Sequence, residues 1–154
     1  MDTTLFPLLR AEIGAFVGTV GFAMLVHVPK RSWLPSGVIA ALSYLVYWLL
    51  IRAGLPDPMS IFIGSLFGSL TGQLCARKMK MIGTVFLMSA IVPVVPGLGL
   101  YRMMAYLGQG HTAAGVDLGI QAMITITMIT LGMSMGSFID RQIQHRVFPE
   151  RKAG

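Results

Sequence analysis

Val92-Pro93-Val94-Val95-Pro96-Gly97-Leu98-Gly99-Leu100-Tyr101 interrupts an apolar run over about 81–107, a run long enough to cross a bilayer. Two prolines three apart, followed at once by Gly-x-Gly, cannot remain regular helix. Each proline lacks an N–H and crowds the carbonyl four residues earlier, and the glycines add backbone freedom. In hydrocarbon, interrupted backbone persists only where protein buries it or where it lines a polar cavity. Discontinuous membrane helices are where secondary transporters place substrate. The stretch therefore points to a membrane site built on a broken helix.

The composition agrees about the solvent. Of 154 residues, 55% are hydrophobic and 12% charged, with a mean hydropathy of +0.73, whereas a soluble domain carries about 25% charged residues. An all-α integral membrane protein is expected. At roughly 20 residues per span plus short loops, five transmembrane helices nearly fill the chain. Residues 1–154 thus read as a single membrane domain, with no room for a nucleotide-binding cassette. The net charge of +6 is spread between apolar runs and forms no basic face, which argues for topology and against nucleic acid. Cys75 is the only cysteine, excluding an intrachain disulfide and any multi-thiol metal site. No two His, Cys, Asp or Glu stand at ligand spacing, so no metal or cofactor is expected. No nucleophile–base or paired-carboxylate arrangement suggests an enzyme. The segment 1–7 has no positive n-region and no cleavage motif closes the first apolar run, so that run reads as a retained span.

The expected spans are about 11–28, 34–51, 59–76, 81–107 and 116–139. With five crossings the cations divide unevenly. Arg10, Arg52 and Arg102 fall on one side; Lys30, Arg31, Arg77, Lys78, Lys80, Arg141, Arg146, Arg151 and Lys152 fall on the other. That asymmetry places the N-terminus outside and the C-terminus in the cytoplasm. Four spans would scramble it. An odd number of crossings also means that two such units, paired, have opposite orientations, the arrangement of inverted-repeat transporters.

Span four then has a direction. Pro93 lies about 18 Å from the cytoplasmic start of its run at helical rise, near the middle of a ~30 Å core. A second half-helix starting at Pro96 or Gly97 points its free N–H groups and positive dipole end into the midplane, which suits a carboxylate without any central lysine or arginine. The alternative is a proline kink re-satisfied by neighbouring helices. Small-residue stripes support close helix packing: Gly64, Gly68 and Gly72 in span three, Gly14 with Gly18 in span one, Gly132 with Gly136 in span five. Packing within one protomer is their ordinary use; contact of one stripe with a partner subunit is the other.

Gly21-Phe22-Ala23-Met24-Leu25-Val26-His27-Val28-Pro29 and Pro93-Val94-Val95-Pro96-Gly97-Leu98-Gly99-Leu100-Tyr101 resemble the threonine/serine exporter family, in the short form that corresponds to its second half, the YjjB-like small subunit of a split exporter. The resemblance covers nearly the whole chain, and Pro-x-x-Pro-Gly followed by Tyr is its most specific element. It implies a multi-pass secondary exporter of the bacterial inner (cytoplasmic) membrane. Long family members fuse two related five-span halves; in split members a larger membrane subunit carrying the first half pairs with a chain like this one. The implied substrates are threonine and serine, or a dicarboxylate such as succinate. Pro93, Pro96, Gly97, Tyr101, Gly21 and Pro29 match the family pattern. His27 departs from it, because relatives often have Asn there, and Arg102 is not carried over.

The expected substrate subsite is Pro93, Pro96, Gly97, Leu98, Gly99 and Tyr101, with Tyr101 one turn beyond the break as ligand or gate. Interfacial anchoring is the competing role for Tyr101. Asp117, Arg102 and His27 are the candidates for proton coupling or ion pairing. Against these stand an acidic helix start for Asp117, snorkelling for Arg102 and a solvated interfacial histidine for His27. Glu12, near the outer end of span one, is similar to Asp117. Thr125, Thr127, Thr130, Ser134 and Ser137 give span five a polar face that either bonds its own backbone or lines a route. The function these residues point to is export driven by the proton motive force; a channel subunit or a structural membrane partner without coupled transport is the alternative.

Overall fold

The computed structural model describes residues 5–92 and 94–147. Six α-helices follow one another: α1 (Leu5–Leu25), α2 (Trp33–Arg52), α3 (Asp57–Met79), α4 (Gly83–Ile91), α5 (Gly97–Gly108) and α6 (Thr112–Val147), with a 3-10 turn at Lys30–Ser32 before α2. No strand occurs among the described residues. Among the described residues, four stretches are long and apolar enough to cross a membrane: Leu8–Leu25, Lys30–Arg52, Asp57–Met79 and Thr112–Ile143. The chain is a multi-pass membrane protein. The remaining apolar run is divided between α4, of 9 residues, and α5, of 12. At 1.5 Å per residue these reach only about 14 and 18 Å, so neither crosses alone.

Four helix ends close in the same way. After α1 the Val28 N–H donates to Ala23 O at 3.0 Å and the His27 N–H to Met24 O at 3.1 Å. The paired bonds recur after α2 (Leu55 to Leu50, Gly54 to Ile51), α3 (Met81 to Ala76, Lys80 to Arg77) and α5 (His111 to Tyr106, Gly110 to Leu107). This is the Schellman closure, which requires a left-handed residue just past the helix. Gly54 and Gly110 supply it with φ of 88° and 81°, and His27 and Lys80 supply it without glycine, at 57° and 53°. Helix α1 therefore stops at Leu25, a turn before Pro29 would have ended it. The α6 helix runs on past 139, through Asp140 and Arg141, to Val147.

Helix α3 is the centre. Its buried positions, Ser60, Ile61, Gly64, Ser65, Gly68, Ser69, Gly72 and Ala76, are mostly small, and α2, α4 and α6 pack around it. A Cβ on Gly64 would lie 3.2 Å from Tyr47 Cβ, and one on Gly136 would lie 2.8 Å from Ser69 Cβ. Backbones thus approach as closely as the Gly-xxx-Gly spacings suggested. The Ser69 hydroxyl donates to Met133 O at 3.1 Å and Gln73 Nε2 donates to Ser137 Oγ at 3.3 Å, fastening α3 to α6. Phe86, fully buried, joins Ile39 and Ala76. Where α3 ends, Arg77 pairs with Asp140 of α6. Helix α1 packs on α2, and α5 packs on α6 while burying none of its described residues.

Candidate functional site

The break is built from local bonds. Val94 and Val95 N–H both donate to Ile91 O, at 2.9 and 3.1 Å, so the last carbonyl of α4 is doubly used. The Gly97 N–H bends back to Val95 O at 2.8 Å, and Leu100 opens α5 by donating to Pro96 O at 3.0 Å. Between them, Leu98 and Gly99 are second and third in the helix, positions whose N–H groups have no intrahelical acceptor. Pro96 is the residue before α5 and Gly97 is its first. Pro93 lies outside the described residues.

Two grooves flank the break. One, about 370 Å³, is lined by Ala11, Gly14, Ala15 and Gly18 of α1, Tyr44 of α2 and Val92. The other, about 400 Å³, is lined by Ile91, Val95 and Pro96 against Ile126, Ile129, Thr130, Met133 and Ser134 of α6. These are the central turns of α1, α2 and α6. The interruption therefore stands level with the middle of three spanning helices.

The predicted residues do not all gather there. Gly97, Leu98 and Tyr101 form an outward patch on α5, with Leu98 63% and Tyr101 69% exposed; Gly99 is half-buried beside them. A Cβ on Gly97 would meet nothing within 4 Å. Arg102 is exposed next to Tyr101. Asp117, exposed in the second turn of α6, stands near the level of Met103, whose Sδ would be 3.0 Å from a Cβ on Gly119. That is about two turns from the break. His27 is further off, in the α1–α2 connection, its Nδ1 3.0 Å from Leu25 O. On α6, Thr127 and Thr130 donate to the carbonyls four residues back, both at 2.8 Å, the ordinary back-bonding use.

The glycine stripes separate cleanly. Those of α3 and α6 are met by neighbours within the chain at Gly64, Gly72, Gly132 and Gly136, whereas a Cβ on Gly14, Gly18 or Gly21 meets nothing within 4 Å. Sequence reasoning missed two features. Tyr44 lines the α1-side groove, and only packing reveals it. Asp140, one residue past the expected end of span five, is 3% exposed and ion-paired; its position level with the end of α3 was the available signal.

A family model described as Threonine/Serine exporter, ThrE, matches residues 12–139. An uncharacterized protein of Haemophilus influenzae is 24% identical over 135 residues, which cover 88% of this chain and 45% of the relative. The chain spans about half the length of that relative. No solved structure matches.

Proposed function

Because the chain belongs to the threonine/serine exporter family, we propose that it is one half of a secondary transporter that exports threonine, serine or a dicarboxylate such as succinate, driven by the proton motive force. The observation that carries this reading is the position and openness of the break: helix-end donors of α5 stand at mid-depth on a face that the chain itself leaves uncovered. A substrate carboxylate rests at the Pro96–Gly99 turn, held by backbone N–H groups and the positive helix end. Tyr101 hydrogen-bonds it or gates it from the adjacent turn. A larger membrane subunit carrying the other half covers this face and seats against the open Gly14–Gly18 stripe, and rocking of one unit against the other alternates access. The α4–α5 pair supplies the fifth crossing, with the N-terminus outside and the C-terminus in the cytoplasm of a bacterial inner membrane. The shares of chain and relative matched, 88% against 45%, suit half of a longer architecture.

A single thiol at the turn tests the proposal. With Cys75 changed to Ser, Leu98→Cys leaves one cysteine, whose alkylation is followed in membranes holding both subunits. Threonine, serine or succinate should slow that labelling several-fold. Labelling indifferent to all three would remove the turn as the substrate site.

A further inference from the structure

Among the described residues, three buried side-chain oxygens have no hydrogen-bond partner: Glu12 Oε1, Thr19 Oγ1 and Ser36 Oγ. All three lie on the α1–α2 hairpin. Other buried serines behave differently. Ser43, Ser60 and Ser65 donate to carbonyls of their own helices or caps at 2.8, 3.2 and 2.9 Å, and Ser69 reaches across to α6. An orphaned buried polar group is costly and calls for a reason. Three on one helix pair, with none elsewhere among the described residues, call for a shared one.

Their placement is linear. Glu12 and Thr19 are two helical turns apart on one face of α1, about 10 Å along the axis, on the stripe that also buries Ala15 and Ala23. On α2, a Cβ at Gly37 would strike Phe16 and come within 3.0 Å of Val20, so its neighbour Ser36 lies at the level of Thr19. Thr19 and Ser36 are both 0% exposed. The polar series then continues through buried Ser32 to exposed His27 in the hairpin connection. At its other end Glu12 sits between Ala11 and Ala15, which line the groove that touches Val92 at the break.

Among the described residues, no cation is paired with Glu12. The elements chiefly packed on α1 are α2 and α4. On α2 the ionisable groups toward that end are Tyr44, Tyr47, which donates to Asp57 at 3.0 Å, and Arg52, held 4.7 Å over the Trp48 ring. Helix α4 carries none. On α1 itself, Arg10 is exposed. An ionisable residue inside a membrane segment without a counter-ion is costly and marks a proton relay or substrate path.

We infer that Glu12 is the proton-carrying group of this subunit, with Thr19 and Ser36 forming the hydroxyl line that passes its proton along the α1–α2 interface. The inference rests on the coupled-export reading above. A proton from the outer side binds the Glu12 carboxylate and makes it a neutral acid. On release, water bridging Thr19 and Ser36 accepts that proton and hands one on at the hairpin end, so carboxylate and hydroxyls return to their starting states. Substrate occupies the neighbouring break, which places both events around one groove.

The test uses inside-out membrane vesicles containing both subunits, with threonine, serine and succinate as probes and a pH-sensitive dye in the lumen. In the wild type, substrate addition should move protons. Glu12→Gln at equal membrane abundance should abolish the dye response yet still exchange labelled for unlabelled substrate, a step that moves no net proton; Glu12→Asp should retain the response. Thr19→Val with Ser36→Ala should slow it several-fold. A wild-type dye response in Glu12→Gln overturns the assignment, as does loss of exchange along with the response. A wild type that exchanges substrate without moving protons overturns the coupled reading itself, and this assignment with it.

Discussion

Asp140 and Arg77 meet at one end of the α3–α6 contact, the carboxylate almost wholly enclosed and about a third of the arginine side chain exposed. Removing one partner of a fully buried pair costs roughly 3–5 kcal/mol, because the survivor is left charged and alone. Partial exposure of Arg77 lowers that here to about 1–3 kcal/mol. Asp140→Ala should therefore reduce thermal stability in detergent, and exchanging the two residues (Arg77→Asp with Asp140→Arg) should restore part of the loss. Equal stability of Asp140→Ala and wild type would remove the pair from the account. At this scale the sequence was only partly legible. The prolines act on their own backbone, so they could be read directly. Arg77 and Asp140 are far apart in the chain, and counting cations by side treats each as a topology marker, which conceals a pair. His27 illustrates a second limit: its left-handed φ is set by the helix closure, and histidine's tolerance of that region is too weak a signal to announce it.

At the scale of helices, identical spacing hides different uses. Gly64/Gly68/Gly72, Gly132/Gly136 and Gly14/Gly18 all read as small-xxx-small faces, and only the packing shows that Gly64, Gly72, Gly132 and Gly136 are met by neighbours within the chain while the α1 set is open. The two kinds of stripe should answer differently to a bulky residue. Gly136→Leu drives a side chain against Ser69 and the Leu66 carbonyl, an overpacking cost of about 1–3 kcal/mol or more, and should lower folded protein in the membrane. Gly18→Leu should leave folding intact and reduce recovery of the larger subunit in affinity purification. Partner recovery that is unchanged in Gly18→Leu would move the interface elsewhere. The threonines of α6 show the opposite lesson. Their pattern left open a polar route or bonding to their own backbone, and Thr127 and Thr130 bond their own helix, because a carbonyl four residues back is always within reach.

For the whole molecule, composition made the solvent legible, and the sequence pattern placed five spans, four of which are helices long and apolar enough to cross, with boundaries that moved at the caps. It could not show that α5 would pack on α6 and bury nothing, since that depends on what the other helices leave uncovered. On the proposed reading, that open face, flanked by two grooves and followed by helix-end donors, is half of a site whose counterpart is on another chain. The candidate coupling residues were the least legible part. Asp117 had the attractive sequence position but stands exposed and about two turns from the break, while Glu12 is half-buried beside the groove that reaches it. The central claim, that the Pro96–Gly99 turn holds exported substrate, is tested most directly by efflux from cells carrying Gly97→Leu, with membrane abundance and partner association matched to wild type. A Cβ there has nothing within 4 Å, and the leucine side chain covers the N–H donors, so efflux of the native substrate, sought among threonine, serine and succinate, should fall about tenfold, the equivalent of losing ~1.4 kcal/mol of binding. Unchanged efflux of all three would contradict the account.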